Sequence, residues 1–542
     1  MNRELPAVGD DFLDAHPKPF GAFDIVFFAL TFLFVYSQVF QFPARPIYFE
    51  GDHLIPVSNA MRMLEGETIY KDFFHLTPPG VEVIYQALFS VFGVRIWILN
   101  AVIVGIGFAQ IWLLWFFGRQ VLTGFLAFAP AIVYLVIGFR HFGIDGSYRI
   151  FSVIFVLLAV AVLMRSQTAS RLLVAGCLCG LASFFVQTRG LVGLAGIGIF
   201  VLWENFTEGF DFKSLVRDAL LLGSSFIAVI FLTQIYFLLQ AGFGNYYFNL
   251  VTFLHVHYPN DPLAKTSAVF SDLPHFASYL DVYSIPAAIS RYVRFAAPLI
   301  FYYSLIPLVY LVFLILRWRG AVSAETAIDK RLMLVSLVGI FLTVGVSAPT
   351  AGRLYHIAIP GLIILFWLVS HFRTSRVIGV TASILLAIVG AAYIVQRQIV
   401  PKYNVEMPGG TAAFLSEAIA ERYRVIAENT RPGEYFFEAQ HPSFYFPMHL
   451  KNPTPLYVIR DSNYTPSFQI ETAIESLERV RPKYIVWQGT WSKSAEDRAQ
   501  GDNLEPLWQF VQANYDFQVE YIDYGEYTLT SKRDIEIWQL KQ

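Results

Sequence analysis

Apolar runs long enough to cross a bilayer recur through the first 396 residues, separated by short polar breaks. A helix of roughly 20 apolar residues spans the hydrocarbon, and shorter runs serve where a bundle shields them. Spans are therefore predicted at 22–42, 96–117, 120–139, 150–164, 172–187, 190–203, 219–240, 295–316, 332–348, 356–371 and 377–396, about eleven crossings. The first follows a polar stretch with no A-x-A-like cleavage site, and its apolar core exceeds that of a signal peptide, so it reads as a retained helix. The two runs around "VQTRG" read either as two spans or as a broken re-entrant hairpin.

Past Gln396 the pattern changes. Of 39 Lys and Arg and 41 Asp and Glu, 35 fall in the last 146 residues. There "EYFFEA", "PLYVIR", "KYIVWQ", "FQVEYI" and "EYTLTS" read as strands, alternating with helices near 411–427, 468–479 and 504–513. The expected fold is thus a polytopic α-helical membrane protein of about eleven spans over 1–396, followed by a soluble α/β domain over 397–542.

Composition agrees: 56% of the residues are hydrophobic and only 15% charged, with a mean hydropathy of +0.51, far from a soluble domain. A net charge of −2 and the lack of a basic stripe with interleaved aromatics exclude nucleic acid as a partner. Cys177 and Cys179, alone in an apolar run, read as packing residues. Short-loop cations at Arg119, Arg165, Arg171, Lys213, Arg217, Arg373 and Arg376, with "RWRGAVSAETAIDKR", place the N-terminus in the cytoplasm and the C-terminal domain outside the inner membrane. The outer loops are then 43–95, 140–149, 187–190, 241–294 and 349–355.

Those outer loops carry the candidate chemistry. "FEGDHLIP" sets Glu50, Asp52 and His53 just past the first span, beside Tyr48 and Phe49, where burial would raise a carboxyl's pKa and make Asp52 a base. Glu50 and His53 either tune that base or face water. Pro56 to Leu64 has helical periodicity ending at Gly66, as of a helix on the membrane surface, and "TPPG" turns into a second amphipathic piece. "YKDFFH" repeats the acid and imidazole with Asp72 and His75. In "RHFGIDGSYR", Asp145 between Arg140 and Arg149 is either a second acidic site or a local salt bridge across a glycine-rich turn. Arg189, and Arg353 with Tyr355 and His356, interrupt apolar runs near the outer surface, as phosphate ligands or as snorkelling cations. His255 and His257, near Asp261, are either metal ligands or polar lining of a cavity.

The order of parts resembles the polytopic glycosyltransferases of the GT-C fold, which include protein O-mannosyltransferases and lipid A aminoarabinose transferases. The resemblance rests on the first helix, an outer loop with Asp52 near its start, "EGETIYKD", the Pro-Pro before the return, and "TRPGEYFFEA" and "RPKYIVWQ" near the C-terminus. It implies transfer of a sugar from a polyprenyl-phosphate donor to a hydroxyl of a glycan, lipid or protein, usually with inversion. Asp52 matches the catalytic Asp, and Asp145 matches a second acidic site. With Asp72, Asp145 would serve the acceptor or a divalent cation, Mg or Mn. Arg353, Arg189, His356 and His75 would contact the donor phosphate. Aminoarabinose transferases have a basic residue before the loop proline, where this chain has Thr77, with His75 two positions earlier. Rival readings are a multi-span transporter, opposed by the lack of repeated halves, and a noncatalytic scaffold.

Overall fold

The structure, a computed structural model, describes residues 20–260, 280, 284–320, 326–346, 350–460, 463–489, 503–524 and 532–541. Its principal helices are α1 (Ala22–Val39), α2 (Leu54–Leu64), α3 (Gly80–Phe92), α4 (Ile96–Val121), α5 (Ala129–Phe142), α6 (Tyr148–Leu163), α7 (Ala169–Phe185), α8 (Gln187–Glu208) and α9 (Phe212–Ala241). They continue with α10 (Ala296–Trp318), α11 (Thr326–Val344), α12 (Ala351–His371), α13 (Arg373–Ile399), α14 (Glu417–Asn429), α15 (Ser467–Val480) and α16 (Glu505–Asn514). The strands are β1 (Phe40–Gln41), β2 (Arg45–Pro46), β3 (Tyr403–Val405), β4 (Ala412–Phe414), β5 (Phe437–Glu438), β6 (Tyr484–Gln488), β7 (Tyr515–Tyr524) and β8 (Lys532–Leu540).

Each of the eleven predicted apolar segments falls on a helix. Seven helices among the described residues, α1, α4, α8, α9, α10, α12 and α13, are long and apolar enough to cross a membrane; α5, α6 and α7 are shorter apolar helices. Their burial sorts them. α12 is mostly enclosed by neighbours, whereas α9 and α13 turn most of their surface outward. Leu232 and Leu239 on α9 are 70% and 75% exposed, which suits a lipid-facing helix and no water-facing one. At "VQTRG" the chain breaks only at Val186, which is extended, and α8 resumes at Gln187.

The outer loop folds as its pattern predicts around α2, which starts two residues earlier than expected. Gly66, at φ +96°, takes the left-handed position just past its end. α3 is the second amphipathic piece, and it starts at a glycine for a steric reason. A Cβ on Gly80 would lie 2.6 Å from the Phe184 carbonyl oxygen of α7.

The C-terminal segment shares the membrane helices' core. One continuous apolar cluster runs from Phe34 and Ile103 through Tyr48 and Leu54 to Val405, Phe414, Tyr423 and Phe444. Its sheet has the order β5-β6-β8-β7, with β5 and β6 parallel and the other pairs antiparallel. "EYFFEA" and "KYIVWQ" contain β5 and β6, and "FQVEYI" lies within β7. Two expectations need correction, and a third lies outside the described residues. "PLYVIR" is irregular: Phe74 N–H donates to the Pro455 carbonyl at 2.8 Å, so this stretch docks on the outer loop and joins no sheet. The helix expected from 411 starts at Glu417, because Ala412–Phe414 pairs with β3 and hands the Ala413 carbonyl to Tyr48 N–H at 2.9 Å. The last strand is β8, which alternates in "RDIEIWQL"; "EYTLTS" lies outside the described residues.

Candidate active site

Asp52 sits in the turn between Tyr48 and α2, and the chain on either side is tied down. Asn100 of α4 donates its amide to the carbonyls of Val39 and Ile47, at 2.6 and 2.8 Å. The Tyr48 hydroxyl donates to the Ser443 carbonyl at 2.9 Å. Glu50 pairs with Arg422 of α14 and accepts from the Tyr423 hydroxyl at 2.7 Å. His53 is buried, with Nε2 on the Phe49 carbonyl at 3.1 Å and Nδ1 3.7 Å from Asp145. Glu50 and His53 therefore brace the turn; neither faces water.

What remains open is Asp52 itself. Arg149, in the first turn of α6, donates to its Oδ2 at 2.9 Å, and its other nitrogen donates to the Tyr148 hydroxyl at 3.0 Å. His441, from the C-terminal segment, places Nε2 3.9 Å from Oδ1. The Asp52 side chain is 46% exposed, in the cleft between α6 and the C-terminal segment that Arg149 and His441 flank. Burial acts to raise its pKa, as expected from sequence, but its neighbours, Arg149 foremost, hold the carboxyl well below the usual carboxylate range. Asp52 is thus a persistently ionised carboxylate, a weaker base than burial alone would make it.

Asp145 is nearby but committed. Its Oδ1 accepts from Ser147 N–H at 2.9 Å and its Oδ2 from the Ser147 hydroxyl at 2.8 Å, which fixes the turn into α6 and so aims Arg149. The turn needs Gly146, because a Cβ there would lie 2.5 Å from the Tyr85 hydroxyl, which donates to the Gly146 carbonyl.

Three arginines from three helices converge on this cleft. The charges of Arg149 and Arg353 both reach Arg189, and all three reach His356. Arg353 also donates to the Tyr258 hydroxyl at 3.4 Å, and Tyr148 stands within electrostatic reach of Asp52, Arg149 and Arg353. Arg189 is buried and donates to the Leu342 carbonyl at 3.0 Å. Among the described residues, three guanidiniums thus gather near Asp52 and Asp145, and guanidinium is a group that binds phosphate in a bidentate manner.

Other sequence candidates lie apart from these contacts. His75 is enclosed: Nε2 is 2.9 Å from Glu82 and 2.7 Å from the Thr77 hydroxyl, and Nδ1 is 3.2 Å from Asn59. Asp72 accepts from Thr68 N–H at 2.7 Å in an exposed turn. His255 bonds the Val251 carbonyl at 2.8 Å, and His257 lies against the Phe253 ring. Asp261 is outside the described residues. Among the described residues no three His, Cys, Asp or Glu side chains gather as metal ligands.

Sequence reasoning placed Arg149 only as a flank of Asp145, and missed His441 and the Glu50–Arg422 pair. Arg149 carried a signal, a cation opening an apolar run at its outer end. His441, distant in the chain, carried none beyond "HP" at the end of a strand.

No family model matches the chain, and no curated protein does. Solved structures do. The crystal structure of ArnT from Cupriavidus metallidurans bound to undecaprenyl phosphate superposes with a TM-score of 0.55 at 11% identity, covering 95% of this chain and 97% of that one. The apo state gives 0.56 over the same shares at 11% identity. The archaeal oligosaccharyltransferase AglB from Archaeoglobus fulgidus, in complex with an inhibitory peptide and a dolichol-phosphate, gives 0.47 at 12% identity over 96% of this chain and 74% of that one. With nearly the whole of both chains aligned, the fold that this chain shares with ArnT is the GT-C fold of membrane glycosyltransferases.

Proposed function

We propose that the chain is a membrane glycosyltransferase that moves a sugar from a polyprenyl-phosphate donor to an acceptor hydroxyl, with inversion, at the outer face of the inner membrane. The observation that carries this reading is the ionised Asp52 carboxylate in a cleft where Arg149, Arg189 and Arg353 meet. The shared fold with ArnT, crystallised with undecaprenyl phosphate, supports a lipid-phosphate ligand.

In this reading the donor's isoprenoid tail lies in the bilayer and its phosphate at Arg353, with Arg189 and His356 behind. The acceptor hydroxyl donates to Asp52. A sugar hydroxyl is far less acidic than Asp52, so the proton transfers only as the new C–O bond forms and the oxygen becomes acidic. The anomeric C–O bond to phosphate breaks with its electron pair going to the phosphate, where the guanidiniums stabilise the charge. Asp52 keeps its position because Arg149 holds one oxygen and leaves the other to the substrate. No step is routed through a divalent cation: Asp145 spends both oxygens on Ser147, and Asp72 lies in a separate exposed turn. The N-terminus is cytoplasmic in this scheme, residues 1–396 form the transferase domain, and residues 397–542 lie outside and close the cleft with His441.

The test is transfer of radiolabel from undecaprenyl-phosphate-linked hexoses and pentoses, by purified protein in nanodiscs, to acceptors in a membrane extract. A new labelled product supports the reading. Donor neither bound nor consumed across the panel contradicts it.

A further inference from the structure

The proposed reaction leaves one group in the cleft without a task. His441 Nε2 is buried and has no hydrogen-bond partner among the described residues, yet it faces Asp52 Oδ1 at 3.9 Å, about 1 Å beyond hydrogen-bond reach. A buried nitrogen left unbonded is costly and calls for a reason. The loop that carries it is held on either side. The Glu438 carboxylate accepts from Ser443 N–H and, at 2.6 Å, from Phe444 N–H, while the Ser443 carbonyl accepts from Tyr48 at 2.9 Å and Tyr423 at 3.2 Å. The backbone before and after His441 therefore aims the imidazole at the carboxylate.

We propose that His441 is the positioning residue of a carboxylate–imidazole relay, taking from Asp52 the proton that the acceptor hydroxyl gives up and passing it to solvent. This rests on the transferase reading. The acceptor O–H bond breaks as its oxygen bonds the anomeric carbon, the phosphate leaves with the electron pair, and the proton goes to Asp52 Oδ1. Arg149 on Oδ2 makes the protonated carboxyl a poor resting place, and an imidazole binds a proton more tightly than a carboxylate does. A side-chain shift of about 1 Å brings Nε2 into hydrogen-bond range. The ring is 24% exposed, so the proton has a route to water. Among the described residues, the charged group that His441 faces is Asp52, itself paired with Arg149 of α6, while Glu438 holds the backbone of the same loop and the Glu50–Arg422 pair meets Tyr423, which bonds that loop at Ser443.

The experiment compares wild type, Asp52→Asn, His441→Gln and His441→Gly in nanodiscs, using the same labelled undecaprenyl-phosphate sugars and membrane extract. His441→Gln is expected to lower kcat by about 10-fold or more, with the donor KM within about 2-fold. Added imidazole should partly restore His441→Gly, which keeps the question decidable if the Gln variant folds badly. An unchanged kcat in His441→Gln overturns the relay, and so does a lowered rate with no imidazole rescue of His441→Gly. In either case transfer by wild type leaves the transferase reading standing. No transfer by wild type with any of these sugars overturns both.

Discussion

Arg149 donates to Asp52 at 2.9 Å across nearly a hundred positions of sequence, joining the first turn of α6 to the turn that enters α2. This contact sets the charge state of the site. A carboxylate whose folded pKa is depressed adds stability that is fully present above its unfolded pKa, about 3.9, and is lost only as pH falls through the lower folded value. Asp52 therefore stays ionised throughout the mildly acidic and neutral range.

Removing Arg149 reverses the balance. In Arg149→Gln, burial loses its main opponent and the Asp52 pKa rises. Carbodiimide, which attacks protonated carboxyls, should label Asp52 near pH 5.5 in the variant and spare it in wild type, as read by peptide mass spectrometry. Equal labelling of the two proteins would mean that Arg149 does not govern the carboxylate.

Arg353 and Arg189 should separate. A charge-assisted hydrogen bond contributes about 1.5–3 kcal/mol, so Arg353→Ala should weaken undecaprenyl-phosphate binding by roughly 10- to 100-fold, whatever it does to thermal stability. Arg189→Ala also removes the bond to the Leu342 carbonyl and should lower both. Binding by native mass spectrometry, beside a thermal-shift assay, checks this; unaltered affinity in Arg353→Ala would remove it from the phosphate site.

The Glu50–Arg422 pair fastens the turn that carries Asp52 to the C-terminal segment, with the Arg422 side chain 2% exposed and that of Glu50 13%. Breaking one partner of such a pair costs about 3–5 kcal/mol. Glu50→Ala and Arg422→Ala should each lower the unfolding temperature, and the double replacement should cost less than their sum. Additive losses would show that the two side chains act independently.

Most of the membrane part was legible because an apolar run and a helix are one physical statement in a bilayer: unpaired backbone groups have no water to turn to. α2 and its glycine stop were legible for a similar local reason. What sequence could not show is contact between distant segments. "PLYVIR" has strand composition but docks on the outer loop, and "TAAF" pairs with β3 where helix periodicity suggested α14. In the site, Asp52, Arg189 and Arg353 stood out as charges in apolar surroundings. Its electrostatics did not, because burial was visible in the sequence and the contact of Arg149 with Asp52 was not. His75 stood out equally, yet Glu82 lies one helical turn into α3 and encloses it.

The enclosure of His75 has a measurable consequence. His75 and Glu82 are each 1% exposed, so His75→Ala leaves a buried carboxyl without its partner. The variant should unfold at lower temperature while its folded fraction binds undecaprenyl phosphate as wild type does. Weaker lipid binding at unchanged stability would instead put His75 at the phosphate.

The most direct measurement is single-turnover sugar transfer by Asp52→Asn in nanodiscs, with donor binding followed in the same sample. Donor is expected still to bind, with a transfer rate reduced by at least about 100-fold, the lower range for loss of a general base. Transfer at the wild-type rate with Asn at position 52 would contradict the assignment of Asp52 as the base.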